Sequence, residues 1–192
     1  MRHPALDVIH EEHQALAAML RSMSLLVAQA HREGHAPDFG VLRAMLFYVD
    51  EYPERLHHPK ESELLFPRVR ERCPELAATL DRLDSDHGRG EAAIRALEHS
   101  LLAYEVLGEP RRQAFVDAMD RYIDSYLSHM AVEETEVLPA ARSHLTEADW
   151  AVLDAAFADN RDPLTGQHEA DETFRPLFSK ILMTAPAPIG LG

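Results

Sequence analysis

The stretch His57-His58-Pro59-Lys60-Glu61-Ser62-Glu63-Leu64-Leu65-Phe66-Pro67 has an echo, His129-Met130-Ala131-Val132-Glu133-Glu134-Thr135-Glu136-Val137-Leu138-Pro139. On a common frame both read His-x-x-x-Glu, a gap of three, two apolar residues and Pro. Residues four apart share one face of a helix, so each copy presents an imidazole and a carboxylate to the same point. Each copy is half of a chelate.

The flanking sequence supplies the helices. Over residues 4–32, Leu6, Ile9, His13, Leu16, Leu20, Met23 and Val27 recur at three- and four-residue spacing, one apolar stripe with a His in its middle. Gly34 and Pro37 end that helix, and Asp38 caps a second that runs to about residue 72, with kinks expected at Pro53 and Pro59. Pro74 opens a third helix, to about residue 107, with the stripe Leu76, Leu80, Leu83, His87, Ile94, Leu97 and Leu101. Gly108 and Pro110 turn the chain into a fourth, to about residue 144, whose stripe includes Phe115, Met119, Tyr122, Tyr126, His129, Glu133 and Val137. Short connections make successive helices antiparallel neighbours, which predicts an all-α, up-down-up-down four-helix bundle over residues 1–145. Thr146-x-x-Asp149 opens a C-terminal extension of two short helices over 146–183, and the Pro/Gly-rich residues 184–192 are expected to form a flexible tail.

Composition narrows the function. The formal net charge of -14 over 192 residues excludes a nucleic-acid or anionic-membrane surface. A single cysteine, Cys73, rules out an internal disulfide framework and a thiolate zinc site. With no apolar run long enough to span a bilayer and no secretory pattern at its start, the chain is expected to be a cytoplasmic protein, monomer or homodimer. Histidine is the outlier at 12 residues, and histidine is the commonest metal ligand.

On the predicted bundle the helices contribute, in order, His13, then His57 with Glu61, then His87, then His129 with Glu133. His13 and His57 are 44 residues apart, and His87 and His129 are 42 apart, which sets two similar hairpins with their histidines at one height. A lone His on an apolar face is ordinarily a hydrogen-bonded core residue. Four at matched depth with two buried carboxylates instead call for a cation, because an isolated buried carboxylate is costly. Nitrogen and oxygen donors without thiolate suit iron or manganese and permit zinc, and six side chains exceed one tetrahedral site, so a dinuclear centre is expected. Glu54-x-x-His57 and Asp84-x-x-His87 superficially fit a ferritin-like pattern, but that pattern leaves His13, His129 and both paired glutamates unused. Tyr48, Tyr52, Tyr122 and Tyr126 near this level are either packing residues or hydrogen-bond donors. Cys73, before a helix-opening Pro, is a candidate for exposure.

These motifs, Glu11-Glu12-His13, His57-x-x-x-Glu61 with Leu64-Leu65-Phe66-Pro67, Asp86-His87, and His129-x-x-x-Glu133-Glu134 with Val137-Leu138-Pro139, resemble the hemerythrin-like, or HHE cation-binding, family over about residues 5–143. The resemblance implies two iron ions per chain, oxo- or hydroxo-bridged, with Glu61 and Glu133 bridging and His13, His57, His87 and His129 capping. It further implies a small diatomic ligand, peroxide or iron itself as partner, in scavenging, storage or sensing, with a di-iron catalase- or peroxidase-like enzyme as the alternative. The chain departs from the oxygen carriers in carrying Glu91 where they place a second His on the third helix, which argues against oxygen transport. His58, Glu91 and Glu134 are the open candidates for further ligands, and His168 in the extension is expected to be structural.

Overall fold

A computed structural model describes residues 3–166 and 168–192. The described residues are all-α, with no strand, in six helices: α1 (Pro4–Glu33), α2 (residues 39–72), α3 (Ala77–Leu107), α4 (residues 112–144), α5 (Glu147–Phe157) and α6 (Arg175–Thr184). None of them is long and apolar enough to cross a membrane.

The ends follow local rules. Pro4 occupies the first turn of α1, where its missing N–H leaves no bond unmade. Gly34, at φ 75°, closes that helix, with Gly34 N–H donating to His31 O and His35 N–H to Ala30 O. Asp38 accepts the Val41 N–H at the start of α2, and Thr146 and Asp149 form the reciprocal capping box of α5.

The long helices are not uniform. Within α2, Asp50–His57 and Glu61–Leu65 are π-helical, and within α4 so is Glu133–Val137. Pro67 and Pro139 explain the latter two. A proline has no N–H to give and collides with the carbonyl four residues behind it, so a regular α-turn cannot pass through. The helix widens instead: Phe66 N–H reaches Glu61 O and Leu138 N–H reaches Glu133 O, each five residues back. Around Pro53 the same widening lets His58 N–H bond Pro53 O. The Pro ending each repeat therefore opens the turn that its Glu begins.

Packing divides the interior into two apolar clusters. One gathers Leu16, Met19, Leu20, Met23, Leu42, Met45, Ile94, Leu97, Phe115 and Met119 from all four long helices, and α6 adds Phe178 and Ile181. The other gathers Leu6, Ile9, Leu65, Phe66, Val69, Leu80, Leu83 and Val137, and α5 adds Trp150, Leu153 and Phe157. His13, His57, Glu61, His87, His129 and Glu133 belong to neither; in each helix they fall between residues of the two. A polar layer thus crosses an otherwise apolar interior. The loop between α5 and α6 joins the two apolar levels and brings Asn160 and Asp162 to the polar layer, both buried.

Cys73 is buried in the second cluster beside Val69, not exposed, because the chain turns inward there before Pro74. Residues 184–192, where a flexible tail is expected, carry contacts: Ala185 is buried, Leu191 N–H donates to Leu182 O, and Ile189 N–H donates to Ser22 Oγ.

Candidate metal centre

Glu61 and Glu133 stand at the middle of the layer at 0% and 1% exposure. His57 Nε2 lies 3.2 Å from Glu61 Oε1, and His129 Nε2 lies 3.1 Å from Glu133 Oε1, each the i,i+4 contact of one repeat. The other two helices close the ring: His13 Nε2 is 3.4 Å from Glu133 Oε2, and His87 Nε2 is 3.5 Å from Glu61 Oε2 and 3.8 Å from Glu133 Oε1. His58, just before Pro59, is buried as well and stacks on His87 with ring centroids 4.3 Å apart.

Nε2 of His13, His57, His87 and His129 turns inward, and Nδ1 of His13, His57, His58 and His87 meets a hydrogen-bond partner outside the cluster. His57 Nδ1–H donates to Glu12 Oε2 at 2.7 Å, His13 Nδ1–H to Glu134 Oε1 at 3.2 Å, and His58 Nδ1–H to Glu54 Oε2 at 3.3 Å. Ser62 Oγ lies 2.9 Å from His87 Nδ1, and Asp86 Oδ2 lies 3.7 Å from His129 Nδ1. An ionised carboxylate can only accept, so Glu12 and Glu134 hold a proton on Nδ1 of His57 and His13 and keep Nε2 facing inward. That is the tautomer a metal needs, oriented by the partner it usually has.

The centre is electrostatically incomplete as it stands. Glu61 Oε1 and Oε2, Glu133 Oε1 and Oε2, His57 Nε2 and His129 Nδ1 are buried without a hydrogen-bond partner. Burial pushes the Glu61 carboxyl toward neutrality, yet the His57 charge outweighs it and holds it below the usual range. Burial also opposes charging His57, and Glu61 with Glu12 overcome it. His87 and His58 go the other way: burial, with neighbouring imidazoles adding to it, lowers both, His87 to about 3. Ionised carboxylates with unpartnered oxygens, beside the imidazoles of His58 and His87 that burial keeps uncharged, are donors suited to a cation site.

The donors form two groups sharing a carboxylate. His13, His57 and Glu61 place ligand atoms within 4.8 Å of one another, and so do Glu61, His87, His129 and Glu133; His58, His87 and His129 form a third, overlapping set. The two ends differ in their surroundings. Around His13 and His57 the space is about 10 Å³, enclosed by Leu16, Tyr52, Pro53, Met130 and Asp162 among others. Phe157 meets the edge of the His57 ring, and Asn160 Nδ2 donates to Glu12 Oε2 at 2.9 Å. On the His58, His87 and His129 side a cavity of about 410 Å³ lies between α3 and α4.

All six side chains expected from the spacing, His13, His57, Glu61, His87, His129 and Glu133, are brought together. Of the open candidates, His58 joins them and Glu134 is the outer partner of His13. Glu91, the remaining open candidate, is exposed and pairs with Arg95, away from the cluster. Pro59 follows His58 without expelling it from the helix, and His58 on α2 fills that side instead. His168 is exposed. Tyr122 and Tyr126 line the cavity, whereas Tyr48 and Tyr52 pack with Phe178 and Phe174. Glu54 and Asn160 were not identifiable as parts of the centre. For Glu54 a signal existed: Glu54-x-x-x-His58 is the same four-residue spacing reversed, and glycine at 90 inside a long helix marks a close approach. A Cβ at Gly90 would come within 2.2 Å of Glu54 Oε2.

Residues 5–141 match the family model described as the hemerythrin HHE cation binding domain. No curated protein matches the chain.

Proposed function

The chain belongs to the hemerythrin HHE cation-binding family, and on that premise we propose that it is a non-haem di-iron protein built on an up-down-up-down four-helix bundle. The observation that carries this reading is the set of six buried N and O atoms with no partner, four of them on Glu61 and Glu133. His13 and His57 would hold one iron and His87 and His129, joined by His58, the other, with Glu61 and Glu133 between them. Bound there, the irons would supply a redox-active Lewis acid that takes up dioxygen, nitric oxide or peroxide, in scavenging, storage or sensing. The protein's own share is positional. Glu12 and Glu134 hold the imidazoles of His57 and His13 in the ligating tautomer, and the two apolar clusters exclude water from both sides.

Metal analysis with an optical spectrum tests it. Protein loaded with ferrous iron and then exposed to air should retain two irons per chain and show near-ultraviolet charge-transfer bands. His57→Ala should lose both features, and retention of two irons with an unchanged spectrum would overturn the assignment.

Turnover of peroxide is the second reading, and Glu54 favours it. Burial, opposed by the Tyr122 hydrogen bond, raises its carboxyl to about 7, so it can hold or release a proton beside His58 near neutral pH. Sustained oxygen evolution on adding peroxide to the iron-loaded protein supports the enzyme; a single stoichiometric spectral change supports the binder.

A further inference from the structure

The outward face of a bundle helix is ordinarily polar, because it has only water to meet. Along the first half of α3 the rule holds, with Asp81, Arg82, Asp84 and Arg89 exposed. In the second half it fails. Ala92 and Ala96 are exposed, Leu102 is 52% and Val106 69% exposed, and Leu107 adds 56% at the helix end. At ~100° per residue, Arg95, His99, Leu102 and Val106 fall within about 60° of one another, so they form one ridge.

A groove flanks the ridge on each side. One, about 480 Å³, runs between α3 and α4 over Ala96, Ser100, Ala103 and Ala114. The other, about 670 Å³, lies between α2, α3 and α6 against Phe47, Leu101 and Leu177. Leu102 lines both. A scattered exposed Leu needs no reason, but an apolar ridge continuous with apolar grooves marks a contact surface.

Charge indicates what covers it. A net charge of -14 repels a second copy over the chain as a whole, yet three ion pairs frame this face: Glu91 with Arg95, Glu105 with Arg43, and Glu109 with Arg112. Their order makes the face its own complement. Arg95 lies seven residues before Leu102 and Glu109 seven after it; Glu91 lies eleven before and Arg112 ten after. A second α3 running antiparallel, related by a two-fold axis beside Leu102, therefore sets Arg95 opposite Glu109 of the second copy and Glu91 opposite its Arg112, and the symmetry repeats both contacts. Shape obeys the same symmetry, since a ridge beside a groove lets each copy's Leu102 and Val106 enter the α3–α4 groove of the other.

We propose that the second half of α3, with the α3–α4 groove beside it, is the interface of an antiparallel homodimer. Leu102 lies fifteen residues beyond His87 on the same helix, about 22 Å at ~1.5 Å per residue. The contact therefore does not depend on the di-iron reading.

Sedimentation equilibrium of the full chain as purified tests it. The unaltered protein should show twice the mass of one chain at micromolar concentrations. Leu102→Glu, at a site exposed in the single chain, should weaken dimerisation roughly a hundredfold, because each copy would carry an unpaired charge into the other's groove. Arg95→Glu and Glu109→Arg should each weaken it about tenfold by setting like charges face to face. Mixing those two variants places opposite charges at both contacts and should restore the dimer to nearly its unaltered strength, which unfolded chains could not do. A single-chain mass at concentrations up to about 100 μM overturns the proposal and leaves the face to a different protein. A dimer that survives Leu102→Glu overturns it by lying on another surface. A mixture no stronger than its components overturns the antiparallel register.

Discussion

The two ends of the metal layer are built from the same repeat and yet have opposite surroundings. At the closed end His57 is clamped through Glu12 by Asn160 and covered by Phe157, both outside the segment that the family model matches. Lys60 adds to the closure by donating to Ala156 O at 2.9 Å and to Asn160 Oδ1. At the open end His87 has only Ser62, and His129 only the more distant Asp86, as outer partners. Helices α3 and α4 there present small side chains to each other, and among the described residues none of the extension lines the cavity between them. Near-identical chelating halves thus acquire different surroundings from what is packed behind them.

Removing what the two ends share should have the greatest consequence. Glu61→Ala deletes the carboxylate that belongs to both donor groups, so iron content should fall below one per chain. If Glu61→Ala held two irons, the ends would be independent sites. Next is the clamp. Removing a carboxylate that orients a metal-bound His ordinarily costs about 10–100-fold in metal affinity, so Glu12→Ala should speed iron loss to a chelator by roughly that factor. Asn160→Ala, one step further out, should have a smaller effect in the same direction, about threefold to tenfold, on the same scale. Nitrogen shifts of the His57 ring in metal-free protein read the same clamp without iron. Ser62→Ala at the open end should change release least, and the ends would be equivalent if it matched Glu12→Ala.

The smallest expected effect is a pH dependence at the closed end. Burial raises the Asp162 carboxyl from 3.8 to about 6, although Tyr48 O–H and Leu164 N–H donate to it. A carboxyl raised on folding favours its neutral form, so it costs nothing below the unfolded value and costs progressively more as pH climbs from about 4 through about 6. Metal-free protein should therefore lose more thermal stability between pH 4 and pH 7 than Asp162→Asn does. Parallel melting curves for the two proteins would remove Asp162 as the cause.

Much of the centre was legible because its logic is local. A His and a Glu four apart meet on any helix, so both chelating halves follow from spacing alone. The positions of His13 and His87 on their stripes follow from periodicity in the same way. His58 was ambiguous for an equally local reason, since the residue before a proline is biased out of the α region, and only the neighbouring turns held it in the helix. Glu91 stayed open because position on a helical wheel does not say which flank of the stripe the next helix covers.

By itself, the sequence determined the helices, the level of the metal layer and the inward-facing donors, all properties of contacts three to five residues apart. Tertiary structure alone decided which outer group serves which histidine. Glu12 and Asp86, each adjacent in sequence to a His, turn away from that neighbour and face His57 and His129 on the next helix, while Glu134 crosses to His13. Adjacent residues on a helix point about 100° apart, so an acid beside an inward His cannot reach it and serves the helix packed alongside. That packing also closed one end of the layer with the extension, because among the described residues the loop from Ala158 to Gly166 reaches the layer on the side of α1 and α2.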